Sequence, residues 1–309
     1  MPQRNDAVLA VAIAGSMSAG VLFPSVGRLV EPYLLVWLGV LLFLNLIRLS
    51  TSDLVTTFAR PKSLAVLAAV KLVALPLVMF ALTFVVYRPL ALPVLLIAGI
   101  STGLGAPFVA NIVDVGGNSS SISKGRLSLI VGMIIATSLA VPFVLPSLVY
   151  AFAGSEFEIP ILDMVFLLSA ALFIPLAAGW LTKRHAPAAS QFADRNSFLL
   201  SIIFVVLINL GMFSTLSEYF FSNQVFLLQT IAASFLAFAA FAVIGYAVSP
   251  RHERAAGLIA MTYVNNTLVM VFAAQFFGPQ VAALAAVYNI PYYVGILVIK
   301  KLLAVPASR

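Results

Sequence analysis

The sequence contains no cysteine, which excludes disulfides, thiolate metal sites and cysteine nucleophiles in one step. Histidine is nearly as scarce. His185 and His252 are the only two, and both fall in charged stretches between apolar runs, so a buried histidine metal site is excluded as well. Charge is thin: 9% of the 309 residues are charged, against roughly 25% in soluble domains. Apolar residues fill the space, at 62% of the chain with a mean hydropathy of +1.12. No water-soluble fold of this length hides that much apolar surface, so lipid is the solvent. A membrane-spanning helix takes about 20 apolar residues, so ten spans would use about 200 and leave short loops with no separate soluble domain.

Charges and Pro/Gly punctuation divide the chain into ten expected helices, at roughly 7–25, 33–50, 63–87, 90–114, 124–152, 160–181, 196–214, 225–248, 254–276 and 279–303. The first lies too near Met1 for a transit peptide and lacks a small-residue cleavage site, so it is expected to be retained. With the N-terminus inside, 14 of the 17 basic residues fall on the cytoplasmic side, from Arg4, Arg48 and Arg60 to Lys300, Lys301 and Arg309. Arg28 and Arg88 fall outside, and Lys71 lies within a helix. Retention of Lys and Arg on the cytoplasmic side orients short-loop membrane proteins. The expectation is a multi-pass protein of the plasma (inner) membrane with both termini cytoplasmic. The net charge of +7 is then topological and calls for no nucleic acid.

An internal echo suggests two halves. Helix two reads Leu44-Asn45-Leu46 followed by Ser50, and helix seven reads Ile208-Asn209-Leu210 followed by Ser214. Five helices separate the copies, so they cross the membrane in opposite directions, as inverted repeats do in secondary transporters.

Several polar residues sit where lipid or packing should exclude them. Helix four contains Ser101-Thr102-Gly103-Leu104-Gly105-Ala106-Pro107, with Asn111 a turn later. Proline removes a backbone donor and the glycines loosen the chain, which reads either as a packing kink or as a break. A break leaves a half-helix N-terminus near mid-membrane, with partial positive charge for an anion. Helix nine contains Tyr263-Val264-Asn265-Asn266-Thr267 at the corresponding place in the second half. Asparagines can glue helices together, but matching discontinuities mark a binding site. Lys71 lies about two turns inside helix three. An intramembrane cation is costly and is read first as functional, with snorkelling to the surface as the alternative. Ser128, Thr137 and Ser138 can bond their own backbone carbonyls. Asn289 can mend the backbone opened by Pro291, and Asn45 and Asn209 are expected to line a cavity between the halves.

These residues resemble the bile acid:sodium symporter superfamily, whose wider relatives handle organic anions. The family's fourth-helix motif is a Gly-rich break followed by Ser-Asn, read here from Gly103 to Asn111. Its ninth-helix motif ends in Gln-Asn-Ser, resembled by Asn265-Asn266-Thr267, and its tenth-helix asparagine is matched by Asn289. The resemblance implies an all-α membrane protein of ten helices in two inverted repeats, 1–152 and 153–309. Helices four and nine would cross where they unwind. A core of helices three to five and eight to ten would move against a panel of helices one, two, six and seven.

The departures are as informative. The ninth-helix glutamate that ligates sodium in the family is matched by Met261, and the third-helix glutamine of the second sodium site by Lys71. The serine of Ser-Asn becomes Ala110 and a fifth-helix threonine becomes Gly132, while Ser128 remains. The resemblance therefore implies dismantled sodium sites in which the Lys71 ammonium stands in for the ion. The expected function is alternating-access transport of a small or medium carboxylate, sodium-independent and either proton-linked or facilitative. The alternative is a sodium-coupled organic anion symporter with altered sites. No paired aspartates, Ser/His pair or histidine site lies within the spans, so no enzyme activity, metal or cofactor is expected. The expected partners are the anion, protons where transport is proton-linked, and lipid, with the protein a monomer.

Overall fold

A computed structural model describes residues 2–47, 61–107, 109–110, 120–154 and 160–303. Twelve helical segments carry the architecture among these residues: α1 Pro2–Leu22, α2 Leu34–Leu46, α3 Pro61–Val86, α4 Ala91–Gly99, α5 Ser120–Ala153, α6 Ile161–His185, α7 Pro187–Ser222, α8 Gln224–Val248, α9 Arg254–Thr262, α10 Asn266–Phe277, α11 Pro279–Val287 and α12 Asn289–Leu303. No strand occurs among the described residues, only one isolated antiparallel bridge between Thr102 and Val264. The fold is that of an all-α membrane protein. Among the described residues, six helical stretches are long and apolar enough to cross a bilayer: Pro61–Val86, Leu127–Ala153, Ile161–His185, Pro187–Ser222, Gln224–Val248 and Pro279–Lys301. Shorter apolar helices cover Val11–Leu22, Glu31–Asn45, Arg88–Gly99 and Asn266–Phe277.

The helices bury one side against each other and expose large apolar residues on the other. Val85, Leu162 and Phe166 are 85%, 82% and 74% exposed, a pattern that would aggregate in water and that lipid tails accommodate. α1 packs on α7, and α2 lies against α6 and α7; elsewhere α3 packs on α4, α8 on α9 and α10 on α11. The main apolar cluster runs through Leu95, Ile97, Ile134, Met261, Phe272 and Leu284.

The boundaries depart from hydropathy in instructive ways. α7 begins at Pro187, well before the expected 196, because Pro is preformed for the first helical position and the polar turn through Asp194 and Asn196 continues the helix past the apolar stretch. α3 is continuous but takes a π-helical turn at Val70–Ala74, just before Pro76. The expected fourth helix stops at Gly99, and the ninth divides into α9 and α10.

Candidate functional site

Two broken helices meet at the centre of the molecule. After α4 the chain turns extended at Ile100, with ψ of 158°, and passes antiparallel to the segment that separates α9 from α10. The Gly103 N–H donates to Tyr263 O at 2.8 Å, and the Asn265 N–H donates to Ser101 O at 2.9 Å. Each break thus supplies the hydrogen bonds that the other lost, which is the condition for non-helical backbone at membrane depth. Side chains reinforce the crossing. Thr102 Oγ1 donates to Ala260 O at 2.9 Å, and Thr137 Oγ1, on α5, accepts from the Thr102 N–H at 3.0 Å. Thr137 therefore does more than bond its own helix. A Cβ on Gly103 would lie 2.4 Å from Val264 O, so only glycine lets the two backbones approach this closely. A Cβ on Gly105 would lie 2.6 Å from the Tyr292 hydroxyl.

The half-helix that follows the second break is capped by its own asparagine. Asn265 Oδ1 accepts from the Leu268 N–H at 3.4 Å, an N-cap for α10. Asn266 Nδ2 donates to Ala285 O at 2.8 Å and to Asn289 Oδ1 at 2.9 Å, tying α10 to α11 and α12. Asn289 thus accepts from Asn266 rather than mending the backbone at Pro291.

Beside the crossing lies a cavity of about 410 Å³. Its walls bring together Asn45, Gly103, Gly105, Pro107, Asn265, Asn266, Thr267 and Asn289, all singled out by the sequence. Leu38, Leu41, Leu42, Phe198, Ile202 and Val205 complete an apolar side from α2 and α7. No charged side chain lines it among the described residues. Sequence reasoning missed Ser201, Tyr292 and Tyr293, which also line it. The two tyrosines were within reach of that reasoning, since they lie three and four residues after Asn289 and so share its helix face.

Other expected residues lie elsewhere. Asn209 does not line the cavity. It is buried between α7 and α1, where its Nδ2 donates to Ser16 Oγ at 3.4 Å, because a polar side chain at a tight helix–helix contact finds its nearest partner across that contact. Met261 is fully buried in the apolar core against α8, where a Cβ on Gly245 would lie 2.8 Å from its Cγ. Ser128 is half-buried on α5 next to the lining residue Leu127. Asn111, with Arg48 and Arg60, lies outside the described residues.

Lys71 is not snorkelling. It is 0% exposed within the π-helical turn, and its Nζ donates to Ala98 O at 2.7 Å. Ala98 is in the last turn of α4, where carbonyls lose their intrahelical partners and the helix dipole is negative. The ammonium also sits 5.5 Å from the centre of the Phe241 ring. Its amine therefore caps the half-helix that leads into the crossing, and no carboxylate pairs with it among the described residues.

No curated protein shows a significant match to the chain. Residues 35–223, more than half the chain and ending before α9, match the family described as the Sodium Bile acid symporter family. With that match over its central helices, the chain belongs to the sodium bile acid symporter family of membrane transporters.

Proposed function

We propose that the protein carries a small or medium organic anion, a carboxylate, across the plasma (inner) membrane by alternating access without sodium. The observation that carries this reading is the bridged crossing, with the cavity and the N-cap of α10 beside it. Half-helix N-termini present partial positive charge to anionic groups at mid-membrane. In place of an ion, Lys71 supplies a standing positive charge on the last carbonyls of α4. Met261, buried among apolar residues, offers no hard oxygen to sodium. Transport is then proton-linked or facilitative. The reading places ten spans in two inverted repeats, 1–152 and 153–309, with both termini cytoplasmic and the monomer as working unit. Two features support the repeats: the bridge pairs Thr102 with Val264, and the echo pairs Asn45 with Asn209 at nearly the same offset.

The test is thermal stability of purified protein against a panel of organic acids, each in sodium and in choline buffer. A ligand that binds the folded state stabilises it by mass action. Equal stabilisation by an acid in both buffers is expected. Stabilisation confined to sodium would identify a sodium-coupled symporter with altered sites and overturn the role given to Lys71.

A further inference from the structure

α4 and α9 both end at the crossing, and each leaves carbonyls without intrahelical donors at the negative end of its dipole. At membrane depth such carbonyls need donors from protein. In α4, Ala98 O accepts from Lys71 Nζ. In α9 the last carbonyl, Thr262 O, accepts from the Tyr288 hydroxyl at 2.9 Å, besides the Val264 N–H at 3.1 Å. Tyr288 stands between α11 and α12 and is fully buried, as Lys71 is. Two buried side chains from distant parts of the chain thus cap the two half-helix ends.

One ring meets both caps. The Phe241 ring, fully buried on α8, is centred 5.5 Å from Lys71 Nζ and 6.1 Å from the centre of the Tyr288 ring. Phe238, three residues earlier and so on the same helix face, packs on Tyr288 at 6.0 Å. A lysine amine on its flexible four-carbon stem and a hydroxyl at the far edge of a ring each stay on one carbonyl only if their stems are held. Phe241 holds both, offering its face to the amine and packing against the tyrosine ring. None of Lys71, Phe241 and Tyr288 lines the cavity, so they act on the crossing rather than on a ligand.

We infer that Tyr288 is the second fixed cap of the crossing and that Phe241 is a positioning residue for both caps, so that the ends of α4 and α9 are held and released together. The coupling of the caps rests on these contacts, and its use in carrying a solute rests on the transport reading. Neither residue touches substrate in this role. Their effect passes through Ala98 O and Thr262 O to the bridged backbone between them.

Hydrogen exchange of the full-length purified protein, without ligand, reads the crossing through peptides covering 100–106 and 262–268. Tyr288→Phe keeps the ring and removes the donor, whereas Phe241→Leu keeps an apolar side chain and removes the ring. Each should speed exchange on both sides of the crossing about tenfold, the worth of one buried hydrogen bond. A positioning residue acts through the caps. Phe241→Leu should therefore change exchange less than about twofold once Lys71→Gln and Tyr288→Phe are both present. A larger effect in that background marks independent packing and overturns the inference, as does unchanged exchange in Phe241→Leu or Tyr288→Phe alone. Phe241→Met replaces Phe241→Leu if the latter fails to fold, and Tyr288→Phe alone serves as the background if the double variant does. Proteoliposome uptake of radiolabelled lactate, 2-oxoglutarate, gluconate and cholate supplies the second readout. For an acid that the wild type carries, Tyr288→Phe and Phe241→Leu should lower the maximal rate per folded protein about tenfold and leave half-saturation unchanged. An unchanged maximal rate or a shifted half-saturation overturns the part played by the caps in transport. If the wild type carries none of the four acids, the transport reading falls, while the exchange result still decides the coupling of the caps.

Discussion

At the residue scale the most demanding side chain is Lys71, buried inside a span. A buried lysine with one carbonyl acceptor and an aromatic face is held at considerable desolvation cost, and the proposed function gives its charge a role that a neutral amide would not fill. Lys71→Gln keeps a donor for Ala98 O and removes the charge. Uptake of a carboxylate by reconstituted protein should fall about tenfold or more, the effect of a favourably placed charge at a helix terminus, while thermal stability holds. Unchanged uptake by this variant would show that the ammonium is mere packing. The second residue is Gly103. A Cβ there meets Val264 O at 2.4 Å, so Gly103→Ala must push the bridged backbones apart, at a cost of about 1–3 kcal/mol. Gly39→Ala on α2 is the control, since nothing lies within 4 Å of its Cβ. Equal melting temperatures for the two variants would contradict the close approach at the crossing.

At the element scale, α10 depends on its cap. Asn265 satisfies an orphan N–H of the first turn, so Asn265→Ala should destabilise the protein by about 0.5–2 kcal/mol, read as a lower midpoint in thermal unfolding. The sequence signals the first break locally, through Gly103, Gly105 and Pro107. The second break is signalled only by its polar pair, Asn265 and Asn266. Tyr263-Val264-Asn265 contains neither glycine nor proline, and its extended course is fixed by bonds to Ser101 and Gly103, partners far away in the chain. Thr137 is opaque for a related reason: a hydroxyl that bonds its own helix shows in sequence, whereas its second bond to the Thr102 N–H depends on where α4 ends. The position of Lys71 inside a span is legible, but its partner Ala98 lies 27 residues on and follows only from the packing of α3 on α4. Asn209 misled because a polar residue at mid-span serves a helix contact as readily as a cavity.

At the scale of the whole molecule, the proposed alternating access requires something to hold the crossing together while the cavity opens to each side in turn. In an ion-coupled carrier a bound cation does so, and its departure frees the crossing to rearrange. On the proposed reading the stand-in for the cation is Lys71, covalently part of α3, so the amine stays behind when the substrate leaves and the protein resets either with its charge in place or with its proton released. Replacing sodium by choline on both sides of a proteoliposome membrane should therefore leave carboxylate uptake unchanged. With uptake unchanged in choline, the choice would lie between proton-linked transport and facilitation, and a pH gradient separates them. In facilitated transport the carried anion only equilibrates across the membrane, and its rate responds to the substrate gradient alone. In proton-linked transport an inward proton gradient drives accumulation above equilibrium, and a protonophore collapses it. Lys71→Gln then decides whether the amine is the coupling group: a variant that still equilibrates substrate but no longer accumulates it would assign the proton to Lys71, whereas accumulation that survives the substitution would place the coupling elsewhere in the chain.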